Sequence, residues 1–594
     1  MTRSGVIAFL VCTLLPLAGC AAIPDELPAK GVTGVEGAPR TAPVAEPERG
    51  LAPDDLIRNF IQVSGNPEND YATAKPYLTK AAQTTWQPES SVTIIQDTFG
   101  TRYDSAVPSG PAGPATGNHT SIVLSVQRVG VLDRDKSFIP EPEASEISIQ
   151  LDKRADGQWR ISTPPQGTFI TLSKFTEIYR QVPLYFLDPQ KRVLVPDPRY
   201  VAAQPTDQVP GRIIDLLLGG PSDGLQDAVT SALAPNTALR TGVVFADDGA
   251  LQVNLTKPGD TSPGNVKLIV AQIVESLRTA TNAKIRIQVE GAPLVTDHPD
   301  WQIGDLPAYD TITNPSSDLP GMVVVNSRVR QLDDGKPIRG PAGAGDYPVT
   351  SAAQSIDGTE LALVGMATST AAQLRVGEVN SSAALVDLAA SSLTRPTWLS
   401  TSPGGSGADT GNEVWTVADG SKVIRVIKSA NGDWVARTVN ASALSPFGAI
   451  TALRLSRDGV RAALVAGGRL VVASVVRVPG SDTVTIRAPR LLQPYGLSEV
   501  VGVDWLGADQ LVVVTSAQAV PVVQVMVDGG PVGYNRYNLA NLSPPMIAVT
   551  AAPGRPVIAV DADGMWTSSD IGSVWHPHAV AIGRGSTAIP FYPG

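Results

Sequence analysis

The second half of the chain repeats itself, and that repetition limits the folds open to it. AAQSIDGTELALV (352–364) is echoed by ALRLSRDGVRAALV (452–465), by VDWLGADQLVVVTS (503–516) and, more faintly, by TAAPGRPVIAVDADGMW (550–566). PTWLSTSPGG (396–405) is a further, diverged copy. Each clear copy reads as a strand, a tight turn carrying Asp-Gly or Gly-Ala, and a second strand. The copies recur roughly every 40 to 55 residues, the length of a four-stranded propeller blade. One small sheet cannot bury both its faces, so such units stack around an axis. Residues 311–594 are therefore expected to form a β-propeller-like domain, with room for about five or six blades. The competing arrangement is an irregular β-sandwich whose hairpins share Asp-Gly turns.

Two regions of different texture precede it. DDLIRNFIQVSG (54–65) places Leu56, Ile57, Phe60, Ile61 and Ser64 at helical spacing, with Asp54 as the expected cap and Gly65 as the stop. Tyr71, Ala74, Leu78, Ala81 and Ala82 predict a second helical region that Pro76 splits in two. Period-two alternation follows at 122–126, 147–151 and 159–161, so 54–175 reads as helices followed by an antiparallel sheet. In 176–310 a hairpin with Asp-Pro turns leads to a helix over 209–218. Strands follow at 239–245 and 251–255 around Asp247-Asp248-Gly249, then an amphipathic helix on Val266, Ile269, Val270, Ile273, Val274 and Leu277. A strand over 284–290 completes a second α+β domain.

The N-terminus adds an address. Arg3 precedes an apolar run that ends in LLPLAGCAA (14–22). Leu17-Ala18-Gly19-Cys20 fits a bacterial lipobox, with cleavage between Gly19 and Cys20 and lipid on the Cys20 thiol. An uncleaved membrane helix is disfavoured by the short run, by Pro16 and by the missing basic flank. Residues 1–19 are thus expected to be a signal peptide. Residues 20–53, with Pro24, Pro28, Pro39, Pro43 and Pro47, are expected to form a lipidated, flexible tether. The chain would lie on the extracytoplasmic face of the cell membrane. The two cysteines of the chain are Cys12 and Cys20. Loss of the signal would leave no thiol for a disulfide, a zinc site or a nucleophile. Removing Arg3 changes the formal charge from −10 to −11. An acidic, well-mixed charge pattern argues against nucleic acid, which needs a basic face.

Chemistry-bearing motifs are scarce. GGSGA at Gly404 falls short of a nucleophile elbow, and no phosphate loop, zinc-protease helix or calcium loop occurs. The histidines are His119, His298, His576 and His578. His576 and His578 would share a strand face but lack an evident third metal ligand. Asp247-Asp248, Asp333-Asp334 and Asp561/Asp563 sit beside glycines, as turn residues do. Trp398, Trp415, Trp505, Trp566 and Trp575 suit blade-to-blade core, or alternatively a sugar-binding mouth. No catalytic residue, metal site or cofactor is assigned, and the chain is not expected to be an enzyme.

Taken in order, lipobox, Pro-rich tether, small helix-then-sheet domain, middle domain and repetitive β domain resemble the LpqB family of actinobacterial lipoproteins. The middle domain carries the most specific likeness. LLLGGPSDGL, APNTALRTGVVFADDGALQVNL, LIVAQIVESL and IRIQVEG are similar to the GerMN pattern, and the first domain is similar to NTF2-like folds. The resemblance implies an accessory lipoprotein of the Mtr two-component system. Its partner would be the extracytoplasmic domain of the membrane sensor histidine kinase, with consequences for cell-envelope homeostasis and division. Two other classes remain open: a binder of cell-wall glycan, and an extracytoplasmic hydrolase or lyase.

Overall fold

A computed structural model describes residues 46–594 apart from 69, 105–116, 191–192, 307–314, 401–411, 479–480, 495–496, 581 and 583–586. The expected signal peptide, Gly19, Cys20, most of the tether and Gly404 lie outside the described residues.

The first domain is built on helix Pro53–Ser64, whose Leu56, Ile57, Phe60, Ile61 and Ser64 are buried. Asp54 does not cap it. Ala52 holds the cap position and Pro53 opens the helix, because proline's fixed φ suits the first turn and its missing N–H is not needed there. Asp54 and Asp55 lie in that turn, where the helix dipole favours acids. The second helical region does break near Pro76, into Lys75–Tyr77 and Lys80–Thr85. Ala81 faces solvent, contrary to expectation, because Thr79 caps the second piece and rotates Ala82 inward. These elements cover a sheet ordered Trp159–Thr163, Ala144–Lys153, His119–Leu132, Val92–Ile95, Thr168–Thr171. The last pair is parallel.

The second domain pairs hairpin Tyr179–Leu187/Leu194–Ala202 with helices Val209–Leu218 and Pro263–Leu277 and a small sheet. Helix Pro263–Leu277 is not amphipathic in place. From Asn265 to Leu277 only Lys267 is exposed, since the hairpin covers the side that a simple sheet-on-helix layer would leave wet. Two of its buried polar residues are bonded by neighbouring segments: Gln272 Oε1 accepts from Ala232 N (2.9 Å), and Ser276 Oγ accepts from Tyr185 N (2.9 Å). The expected strand over 239–245 is split into Ala238–Leu239 and Val244–Phe245, both paired to Leu251–Thr256.

The repeats form a propeller. Among the described residues five four-stranded sheets follow one another, starting at Val349, Thr397, Ile450, Val500 and Ala548, and are here called blades 1 to 5. The diverged PTWLSTSPGG supplies the inner strand of blade 2. A sixth blade joins the two ends of the domain. Ala588–Phe591 pairs antiparallel with Met322–Val325, which pairs with Arg328–Gln331. The inner strands touch in a closed ring, with Ala588–Phe591 meeting both blade 5 and blade 1.

Two side-chain devices repeat with the blades. In blade 1, Ser355 Oγ donates to Asp357 Oδ1 (2.5 Å) and accepts from Glu360 N (2.9 Å), which holds the Asp-Gly turn. In blade 3, Ser456 bonds Asp458 and accepts from Arg461 N (2.9 Å) in the same way. Gly358 and Gly459 close these turns at φ of 78° and 73°, where a side chain would strain the backbone. The second device is an indole that crosses between blades. Trp398 Nε1 donates to Ala353 O (2.9 Å) and Trp505 Nε1 to Arg454 O (3.1 Å).

The three domains form one packed body. Phe138, Phe175, Tyr179 and Tyr200 share an apolar cluster with Val532 of blade 4, and Val460 and Val476 of blade 3 enter the core of the second domain. Ring closure is the most exposed dependency. Phe591 is fully buried in the closing strand, so Phe591→Ala is expected to cost about 3–5 kcal/mol, read by urea unfolding. A loss under about 1 kcal/mol would mean that the ring is held elsewhere.

Candidate functional site: the propeller axis and its free rim

The strands that carry the repeat also carry charges where the pattern calls for apolar residues. Asp504, on the inner strand of blade 4, is 3% exposed. Its Oδ1 accepts from Arg454 Nε (3.1 Å) of blade 3 and from Trp505 N (3.0 Å). Its Oδ2 accepts from Thr550 Oγ1 (2.9 Å) and Ala551 N (3.2 Å) of blade 5, with Arg395 Nη2 at 3.8 Å. Arg454 goes on to donate to Pro396 O (2.7 Å) and Gly594 O (3.4 Å), and Arg457 to Pro593 O (3.0 Å). One buried carboxylate thus ties inner strands of four blades. Burial pushes the Asp504 carboxyl up, but Arg454 and Arg395 outweigh it and hold it below the ordinary range. Burial lowers Arg395 to about 9 and Arg457 to about 10. Arg395 Nε and Nη2 are buried without a hydrogen bond.

The residues singled out from sequence are dispersed, not gathered. Asp248 pairs with Arg286 (2.7 Å) and accepts from Ala250 N (3.2 Å). Asp333 accepts from Asp334 N (2.8 Å), and Asp334 pairs with Lys336 (2.6 Å). Asp561 accepts from Asp563 N, Gly564 N and Ser543 N. These are turn-building bonds. His576 is exposed, whereas His578 is half-buried, accepts from Val580 N (3.1 Å) and is lowered by burial. No group of three His, Cys, Asp or Glu with metal-binding geometry occurs among the described residues. His119 pairs with Asp152 (2.8 Å), and His298 stacks on Trp301 at 4.1 Å. Trp398, Trp415, Trp505 and Trp575 are buried and Trp566 is half-buried, so the tryptophans are blade core and not a surface mouth. No helix among the described residues is long and apolar enough to cross a membrane.

Sequence reasoning missed Arg395, Arg454, Asp504 and Thr550. The signal was present: Arg454 in LRL and Asp504 in VDW are charges on an inner strand, at matching positions of the repeat.

Topology then separates two rims. The second domain bonds blade 3 at the turn between its first and second strands and on its fourth strand, where Arg487 pairs with Asp227 (2.7 Å), and bonds blade 4 at the connection after its third strand. Arg461 donates to Pro196 O (2.5 Å) and Gln181 to Asp528 Oδ2 (3.0 Å). The turns between second and third strands, at 418–422, 466–469 and 515–522, point the other way. No interdomain hydrogen bond among the described residues reaches them. Val501, Leu539 and Ile547 are exposed near this free rim.

Comparison with known proteins matches this architecture segment by segment. Residues 46–176 match the N-terminal domain of lipoprotein LpqB, 183–295 the sporulation and spore germination (Germane) domain, and 326–593 the LpqB beta-propeller domain. The "Lipoprotein LpqB" of Mycobacterium tuberculosis (strain CDC 1551 / Oshkosh) is 31% identical over 563 residues, covering 91% of each chain. The chain belongs to the LpqB lipoprotein family. The protein of that name from Nocardia farcinica is 30% identical over 621 residues, with 100% of this chain and 98% of the relative covered. That from Rhodococcus jostii is 30% identical over 579 residues, covering 94% and 92%.

In this LpqB-family propeller the axial pair is a structural centre. Arg454→Leu strips Asp504 of its bonded cation while leaving the acid buried, and is expected to cost about 3–5 kcal/mol in urea unfolding. The double variant Arg454→Leu/Asp504→Leu is expected to lose less than the sum of the single changes. Additive losses would mean that the two side chains do not act as a pair.

Proposed function

We propose that this chain is a non-enzymatic accessory lipoprotein, anchored through Cys20 on the extracytoplasmic face of the cell membrane, that binds the extracytoplasmic domain of the Mtr sensor kinase. The observation that carries this is the full-length match to proteins named lipoprotein LpqB, together with a lipobox in the same chain. The partner follows from the resemblance of that family to accessory proteins of the Mtr system, and the NTF2-like relationship of the first domain belongs to the same reading. The free rim suits this role, because it offers turns from successive blades that no interdomain hydrogen bond reaches among the described residues. The rigid three-domain body would transmit a contact at the propeller to the tethered end. From Cys20 to Glu46 the chain spans at most about 90 Å when extended, so both partners sample a shared layer above one membrane. Confinement of that kind raises effective concentration and lets a weak interface operate. Binding would bias the kinase between two signalling states.

Titration of the purified lipoprotein against the isolated kinase domain tests the partner. Saturable binding that is weakened by the paired change Val501→Asp/Ile547→Asp on the free rim is the expected result. No binding at concentrations matching two partners on one membrane would redirect the search to cell-wall glycan. For the anchor, Cys20→Ser is expected to release the protein from the membrane fraction and to reduce kinase-dependent signalling. Unchanged signalling by a released protein would count against tethering.

A further inference from the structure

Where the propeller meets the second domain, a carboxyl is buried without a counter-ion. Asp528 follows the third strand of blade 4 and is 5% exposed. Its Oδ1 accepts from Gly530 N (2.9 Å). Its Oδ2 accepts from Gln181 Nε2 (3.0 Å), across the domain boundary and 347 positions away in sequence. The Tyr200 hydroxyl, on the partner strand of the same hairpin as Gln181, is its third neighbour. Gly530 belongs to this arrangement, since a Cβ there would stand 2.1 Å from the Tyr200 hydroxyl oxygen. All three donors are neutral, and no cation pairs with Asp528 among the described residues.

The charged groups facing the junction are engaged elsewhere. On the hairpin, Asp197 pairs with Arg199 (2.7 Å) and accepts from Ser222 N (2.8 Å). From the first domain Asp135 offers its carbonyl to Arg199 (2.6 Å). From blade 3, Arg461 binds Pro196 O and stands 3.5 Å from Asp458. Blade 3 also supplies Arg490, whose guanidinium packs on Gly224 of the second domain. From blade 4, Asp509 adds a second negative charge, and the Arg461 and Arg278 guanidinium groups act on Asp509. A cavity of about 50 Å³, walled by Asp197, Arg461, Arg490 and Asp528, is large enough for a water that carries a proton in or out.

We propose that Asp528 makes the seating of the propeller on the second domain proton-linked, the contact being firmer with the carboxyl protonated. A buried, uncompensated carboxylate opposes its own burial, and a proton removes the charge while leaving an O–H that can bond the Tyr200 oxygen. Burial, with Asp509 adding to it, pushes Asp528 from 3.8 to about 6. Opening the junction exposes the group to water and returns it to the ordinary range. The closed form therefore holds the extra proton between those two values, and closure strengthens as the pH falls through 6. It weakens toward neutrality, where the closed form holds a bare charge. A lipoprotein outside the cytoplasm experiences the pH of its medium, so the rigidity of the body would follow envelope acidity.

Hydrogen exchange of the full-length protein in detergent micelles, corrected for intrinsic rates, reads the opening. Amides of Tyr179–Ala202 and 526–532 are expected to open about tenfold less often at pH 5 than at pH 7. Asp528→Asn is expected to abolish that difference. A pH-independent opening in the parent, or the same pH dependence in Asp528→Asn, would overturn the proposal. Should Asp528→Asn fail to fold, Gln181→Leu removes one donor from the opposite side. In carbon-13 aspartate-labelled protein it is expected to raise the carboxyl midpoint above that of the parent. A parent in which no buried carboxyl titrates above pH 5, or a midpoint unmoved by Gln181→Leu, would equally overturn it.

Discussion

Everything in the propeller depends on four residue pairs between its two ends. Met322 to Val325 run antiparallel to Phe591 to Ala588, so the last strand of the chain becomes the inner strand of the blade that the first strand began. Without that pairing the inner strands of blades 1 and 5 would present unpaired faces, and the ring would be an open stack with two sticky ends. Closure also sets the axis. Once six inner strands face one another, any charge on them is buried, and Asp504 with Arg454 and Arg395 becomes a shared centre.

The same closure gives the propeller two unlike rims. One rim carries the other two domains at blades 3 and 4, through Arg461, Asp528 and the apolar contacts of Val460, Val476 and Val532. The other is free. The aromatic cluster of Phe138, Phe175, Tyr179 and Tyr200, packed with Val532 of blade 4, leaves little room for the described domains to move independently while the junction is closed.

Much of this was legible in the residues. The Asp-Gly hairpins of blades 1 and 3, the helix over 209–218 and the alternating strands of the first domain were readable because each is decided by local periodicity and turn chemistry. The sixth blade was not, because its inner strand lies at 588–591 and its neighbour at 322–325, so no local repeat exists to find. The all-round burial of helix Pro263–Leu277 was missed for a related reason. Its polar Gln272 and Ser276 look like a wet face until the 231–232 segment bonds Gln272 and the hairpin from 179–202 bonds Ser276. The cap was misplaced by two positions, at Asp54 and not Ala52, because Pro53 takes the first helical position.

The sequence by itself determined the order of parts: a lipobox, a Pro-rich segment, two mixed domains and a set of blade-sized hairpins. Those follow from short-range rules, in which neighbouring residues choose strand, turn or helix. Only the tertiary structure decided which blade closes the ring, that the tryptophans are core, and that Asp504 and Asp528 are buried in opposite circumstances. One acid has guanidinium partners that hold its carboxyl below the ordinary range, while the other has only neutral donors and is pushed up by burial. Nothing in the residues adjacent to either aspartate distinguishes them, because the deciding charges come from strands tens to hundreds of positions away.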